Sequence, residues 1–295
     1  MASIITILHR TEYIYDQPVV LDPHLLMLRP RDGHDLWVDD AFLTIQPKAS
    51  LRWYFDTFGN SVAEASFAGA ADRLLIESKL ILRRYVSDRL VRGDAVHVCP
   101  YPFVYTEDDM RDLQPFLGLQ NPEEAVILDA WLQGALPKQA DDAVTFLRGL
   151  SDAVHLNLRY SPREEMGTQT AAQTIAAGVG TCRDFAFLFM EAARRYGFAA
   201  RFVTGYLNDG PMSPGASLAG PVGGGATHAW ADVFVPGEGW IEFDPTNRIT
   251  AGSALIRVAT TRTPAQASPI SGSFKGDGAS CLGLFVSVDV REDAG

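Results

Sequence analysis

The chain has 295 residues, 47% of them hydrophobic and 21% charged, with a formal net charge of −11. That is the balance of a globular protein that buries one large core or two ordinary ones, and its negative charge with no basic stripe excludes nucleic acid as a partner. No apolar run reaches the roughly 18–20 residues of a membrane span, and the three scattered cysteines, Cys99, Cys182 and Cys281, offer neither a disulfide framework nor a CxxC pair for zinc. Residues 1–10 lack a basic n-region and a small-residue cleavage site, so no signal peptide is expected and the reading is cytoplasmic with free thiols.

From residue 3 to about 98 the sequence reads as strands. Ile4-Ile5-Thr6-Ile7-Leu8 is apolar and β-branched, while Glu12-Tyr13-Ile14-Tyr15 and Leu43-Thr44-Ile45-Gln46 alternate with period two. Turn chemistry separates them at Asp16-Gln17-Pro18, Arg31-Asp32-Gly33-His34, Gln46-Pro47-Lys48 and Phe58-Gly59-Asn60. Residues 74–86 could pass for a helix, but their run of Leu75, Ile76, Leu80, Ile81 and Leu82 suits a long strand that follows another strand. Residues 1–100 are therefore expected to form an antiparallel β-domain, a sandwich.

The grammar turns helical after Pro100-Tyr101-Pro102. Asp108-Asp109-Met110 leads a short helix that Pro115 limits. Asn121-Pro122-Glu123-Glu124 supplies an N-cap, a proline at the first helical position and two acids in the first turn of a helix reaching towards Gly134. These elements make residues 101–140 a helical connector. The remaining unit, 141–295, opens with a helix at Asp141-Asp142 that buries Val144, Leu147, Leu150 and Val154, with His155 as a half-buried helix residue. A short helix over 170–177 is closed by Gly178, and another runs from Arg183 to Tyr196-Gly197. Strands are expected over 199–207, 228–235, 239–243 and 284–290, with loops over 208–226 and 264–278.

Gly178-Val179-Gly180-Thr181-Cys182 delivers a cysteine to the start of an apolar helix. A cysteine acts as a nucleophile only as its thiolate, and a free thiol with a pKa near ~8.5 is mostly protonated at neutral pH. The positive end of a helix dipole and a nearby imidazolium both lower that value, and the helix's first N–H groups point where an oxyanion would form. Taken alone, such a cysteine is more often a small buried hydrophobe. The base must come from elsewhere. Thr227-His228-Ala229-Trp230-Ala231-Asp232 alternates as a strand, and Trp240-Ile241-Glu242-Phe243-Asp244 follows the turn at 236–239. If the two strands pair, His228 and Asp244 lie side by side at their outer ends. Cys182, His228 and Asp244 are thus the candidate nucleophile, base and orienting carboxylate, with Glu242 as a substitute acid.

Gly178-x-Gly180-x-Cys182-Arg183-Asp184-Phe185-Ala186, then Thr227-His228-Ala229-Trp230, then Gly239-Trp240-x-Glu242-Phe243-Asp244-Pro245-Thr246-Asn247 resembles the core of the transglutaminase-like superfamily, in the bacterial branch of predicted cysteine proteases. His9-Arg10-Thr11-Glu12-Tyr13 and Leu25-Leu26-Met27-Leu28-Arg29-Pro30-Arg31 resemble the N-terminal β-region of that branch. The resemblance implies an α+β fold, a papain-like, transglutaminase-like catalytic core behind the β-domain. It also implies that Cys182 is the nucleophile, His228 the base and Asp244 its orienter. A second oxyanion donor upstream of the cysteine is implied as well, with Tyr160 and Gln169 as candidates.

The chemistry expected is acyl transfer through a Cys182 thioester, with hydrolysis of a peptide or amide bond as the leading reading. Alternatives are amine transfer by a transglutaminase, an arylamine-acetyltransferase-like reaction, or a binding scaffold of the same fold. No metal or cofactor is expected, since no calcium-loop motif is present. Arg183 and Asp184 flank the cysteine and are expected to fix the helix start, with Arg183 also near the thiolate. Trp230 and Trp240 are candidates for the cleft wall, against the competing reading that they pack in the core. The glycine-rich loop over 208–226 reads as a candidate lid. A peptide or protein substrate is the expected partner, and exposed strand edges in the β-domain allow a homodimer.

Overall fold

The computed structural model describes residues 3–85, 99–135, 140–162, 167–208, 225–252 and 254–293. Its first third is all strand: β1 (Ser3–Leu21), β2 (His24–Arg29), β3 (Leu36–Gln46), β4 (Ala49–Phe55), β5 (Ser61–Phe67) and β6 (Ala70–Arg84). Over much of their length β1 and β6 alternate buried and exposed side chains, so one face of each is covered and the other wet. The long strand expected from residue 74 onward is part of β6. Asp16-Gln17-Pro18, expected as a turn, lies instead within β1. Pairing with β6 stops at Ile14 and resumes at Val19, because Pro18 has no N–H for the ladder and an irregularity absorbs it without ending the strand.

Helices α1 (Glu107–Leu113), α2 (Ala125–Ala135) and α3 (Ala143–Asn157) follow. Thr106 caps α1 and Asp142 caps α3, each side chain accepting a backbone N–H three residues on. Next come β7 (Arg159–Tyr160), α4 (Ala171–Ala177), β8 (Val179–Gly180) and α5 (Cys182–Arg195). Strands β9 (Ala200–Leu207), β10 (His228–Val235), β11 (Gly239–Asp244), β12 (Ile249–Thr250) and β13 (Leu255–Thr261) make one sheet in the order β12-β11-β10-β9-β13. Phe185, Leu188 and Phe189 of α5 share a core with Ala229, Ala231 and Phe243 of that sheet, and the small alanines let the helix lie close to β10. Among the described residues, no helix is long and apolar enough to cross a membrane.

The last strands, β14 (Ile270–Ser271), β15 (Phe274–Lys275) and β16 (Cys281–Asp293), do not extend this sheet. β14 pairs with β2, while β15 and β16 pair with β1. Sequence order groups them with the second unit, and a pairing across the whole chain leaves no local signature. The β-region is therefore two sheets: β14-β2-β5-β4, and a larger one in which β15 and β16 flank β1, followed by β6 and β3. The covered face of the larger sheet meets two partners. Tyr15, Val19, Leu74 and Ile76 cluster with Leu26, Leu28, Ala63 and Ala65 of the smaller sheet. Ile5, Ile7, Leu80 and Leu82 cluster with Tyr206, Ile256 and Val258 of the core sheet. Asn60 adds a buried polar tie, exchanging hydrogen bonds with the Thr260 backbone at 2.8 and 2.9 Å. The antiparallel β-region and the mixed core together form the papain-like, transglutaminase-like α+β arrangement expected.

Candidate active site

The cysteine loop is built by a few local constraints. Gly178 ends α4 with φ of 65°, a left-handed conformation that glycine adopts without a Cβ clash. A Cβ on Gly180 would come within 2.9 Å of Asp184 Cβ, so only glycine lets β8 pass this close to α5. Thr181 is the N-cap, and its backbone N–H and hydroxyl both donate to Asp184 Oδ2, at 2.8 and 2.9 Å. The other oxygen of Asp184 accepts the Gln169 N–H at 2.7 Å. Asp184 is fully buried, so this carboxylate ties the segment before α4 to the start of α5. Cys182 is then the first residue of the helix, where backbone N–H groups have no intrahelical partner.

His228 opens β10 and Asp244 closes β11, as the 236–239 turn implies. Their register pairs Ala231 with Phe243 and Asp232 with Glu242. His228 Nε2 donates to Asp244 Oδ2 at 2.8 Å, with both side chains fully buried. Burial pulls the imidazole's pKa down, but the Asp244 charge and hydrogen bond, together with Cys182, outweigh it and raise the value to about 10. Burial pushes Asp244 the other way, upward, yet the imidazole and the hydrogen bonds it receives hold it below the ordinary carboxyl value. The second ring nitrogen, Nδ1, is buried with no hydrogen-bond partner among the described residues, while Cys182 is close enough to act on the ring. Cys182 retains 8% exposure against 1% for His228 and 0% for Asp244, so it is the most accessible of the three.

Asp244-Pro245-Thr246-Asn247 is more than a strand-ending turn. Asp244 Oδ1 accepts the Thr246 N–H at 2.8 Å and the Asn247 N–H at 3.3 Å, and Oδ2 accepts Asn247 Nδ2 at 2.9 Å. Asn247 was assigned no role in the sequence, although an Asx turn at Asp-Pro-Thr-Asn is a legible signal for such a clamp. His155 packs behind it, its Nδ1 3.0 Å from the Thr246 carbonyl oxygen, as a half-buried helix residue.

The other candidates divide. Tyr160 pairs with Gly180 in the parallel β7–β8 bridge, and burial followed by the neighbouring Cys182 raises its phenol pKa. Gln169 has a buried Oε1 with no hydrogen-bond partner among the described residues. Arg183 does not project freely at the sulfur: its guanidinium donates to the Pro264 carbonyl at 2.7 Å and to Thr168 Oγ1 at 3.3 Å, and lies over the Phe202 ring. Trp230 is fully buried and stacked beside His228, so it lines no open cleft. Trp240 lies at the turn end of the hairpin, paired with Phe234 and packed against Phe116 and Arg201, because β11 runs antiparallel to β10 and carries its first residues away from His228. Glu242 sits opposite Asp232, with Arg257 Nη1 at 3.7 Å, rather than at the imidazole. The candidate lid falls largely on 209–224, outside the described residues.

Residues 5–83 match the bacterial transglutaminase-like N-terminal region, and residues 132–245 match the transglutaminase-like superfamily. Uncharacterized protein Rv2569c of Mycobacterium tuberculosis is 32% identical over 307 aligned residues, covering 96% of this chain and 90% of its own. Uncharacterized protein Mb2599c of Mycobacterium bovis matches to the same extent, 32% over 96% of this chain and 90% of its own. Among solved structures, a Cytophaga hutchinsonii protein described as a candidate cysteine protease superposes with a TM-score of 0.73 at 18% identity, covering 100% of this chain and 92% of the other. The chain belongs to the bacterial transglutaminase-like superfamily, with that branch's β-region preceding its core.

Proposed function

We propose that the protein is a thiol-dependent acyl-transfer enzyme that hydrolyses a peptide or amide bond, with Cys182 as nucleophile, His228 as base and Asp244 as the carboxylate that orients the base. The observation carrying this reading is the buried His228–Asp244 hydrogen bond beside a cysteine at a helix N-terminus. In this reading Cys182 acts as its thiolate beside the imidazolium of His228.

The thiolate attacks the carbonyl carbon, and the charge that develops on oxygen is met by the Cys182 N–H and by a side chain, for which Tyr160 and Gln169 are the candidates. The C–N bond then breaks, the leaving amine takes the proton from His228 Nδ1, and a thioester remains on Cys182. Water attacks the thioester while His228 recovers a proton from it; the C–S bond breaks and the thiolate returns. An amine entering at this second stage would give transglutamination by the same residues. Water is favoured because it needs no second binding site.

The test is to incubate the purified protein with peptide and amide libraries, with and without added amine, and to identify products by mass spectrometry. Hydrolysed products without amine adducts are expected from the wild type, and no products from Cys182→Ala. Adducts dominating at equal amine would favour the transferase, and no turnover of any library member by the wild type would favour the scaffold.

A further inference from the structure

Trp230 is two residues from His228 on β10 and points to the same face, so its indole lies beside the imidazole. The ring centroids are 6.1 Å apart with an interplanar angle of 29°, a stacked arrangement. Space for the indole is made on the neighbouring strand. His228 pairs in register with Gly205 of β9, and a Cβ there would come within 2.7 Å of Trp230 Cη2 and 2.1 Å of the Ile256 carbonyl oxygen. The glycine is thus a notch that holds the indole between β9 and the imidazole. The indole Nε1 is buried with no hydrogen-bond partner among the described residues. A buried donor left unpaired is destabilising, and a phenylalanine or leucine at 230 would avoid it. What an indole adds over those residues is the broadest π face, the surface that attracts a cation most strongly.

We propose that Trp230 is a positioning residue for His228: its face, seated in the Gly205 notch, fixes the plane of the imidazole and stabilises the imidazolium paired with the Cys182 thiolate. This rests on the triad reading above. Among the described residues, the charged or titratable groups facing His228 are Asp244 from β11 and Cys182 from α5, and from β9 the Thr204 hydroxyl donates to the His228 backbone carbonyl. Asp244 directs Nε2, Trp230 sets the ring plane, and Nδ1 is left facing the sulfur.

The experiment is the pH dependence of Cys182 alkylation by iodoacetamide, followed by mass spectrometry on the full chain for wild type, W230L and W230F, with thermal melts alongside. Wild type should show a thiolate reacting well below the ordinary thiol range. In W230L the loss of the cation–π contact should cut the ion-paired fraction, and the alkaline step at which the imidazolium gives up its proton should move to lower pH, by a factor of about 2 to about 30 in proton concentration. W230F, which keeps a smaller aromatic face, should fall between the two, and it carries the test if W230L does not fold. A merely structural tryptophan would lower the melting temperature and leave the profile in place. Coincident profiles for wild type and the folded variants would overturn the proposal and spare the triad. A wild-type Cys182 that titrates as an ordinary thiol would overturn the triad itself.

Discussion

The β10–β11 hairpin buries carboxyl groups at two points along one face, and they behave in opposite ways. At the open end Asp244 meets an imidazole, an amide side chain and two backbone N–H groups, and its pKa is lowered. Towards the turn, Asp232 and Glu242 face each other across the strands. Arg201 serves only one oxygen of Asp232, through two hydrogen bonds at 2.9 and 2.8 Å, and the other oxygen has no hydrogen bond among the described residues. Burial and then the Asp232 charge push Glu242 up to about 7. Hairpin and face are shared, so the difference comes from the surroundings: Asp244 is met by donors, while Glu242 faces a second carboxylate. Only the first arrangement can hold a histidine in its charged form at neutral pH.

The largest break in this comparison is Asp244→Ala. Removing the orienting charge should reduce turnover of an activated ester such as p-nitrophenyl acetate by on the order of 10³–10⁴-fold, with the fold retained by circular dichroism. Asp232→Ala, at the other site, should do the reverse. It leaves the partly buried Arg201 unpaired and should lower stability towards the low end of the ~3–5 kcal/mol expected for half of a buried ion pair, since Arg201 is 19% exposed. Turnover per folded molecule should change little, with urea unfolding as the check.

Asn247→Ala removes one of the donors on Asp244 and should slow the same ester turnover about tenfold, the effect of losing roughly one hydrogen bond to a charged group. Glu242→Gln gives the smallest effect, and a pH-dependent one. Asp232, Arg257, Arg84 and Asp35 are the charged groups acting on Glu242. Its folded pKa lies above the ordinary 4.5, so protonation favours the folded state; this stabilisation is full below 4.5 and is lost as pH rises through about 7. Glutamine stays neutral throughout. Urea midpoints of the variant and wild type should converge in acid and separate in favour of the variant by the time pH passes about 7, with a constant gap above it. A gap that narrowed with rising pH would contradict the shared-carboxyl account.

Much of this was legible in the sequence, wherever the determinant is local. Thr181 and Asp184 around Cys182 spell a helix start, Pro236-Gly237-Glu238-Gly239 spells a hairpin, and the hairpin brings His228 to Asp244. The cap at Asp142, which opens the helix expected at Asp141-Asp142, is an equally local signal, whereas the connector's first helix is capped by Thr106, two residues before the expected Asp108. What failed to show depends on distant chain segments. β16 pairs with β1 although some 270 residues separate their partners. Arg183 looked available for the thiolate because nothing nearby reveals that Pro264 and Phe202 receive it. Trp230 and Trp240 have the same strand phase, and only the antiparallel register shows that one lies beside the imidazole and the other near the turn.

The most direct test of the central claim is acyl trapping. Wild-type protein mixed with p-nitrophenyl acetate, quenched in acid and mapped by peptide mass spectrometry should carry one acetyl group on Cys182, with Cys99 and the exposed Cys281 unmodified. His228→Ala should lose the adduct under the same conditions. Acetyl on Cys281 in preference to Cys182, or an unchanged Cys182 adduct in His228→Ala, would contradict it.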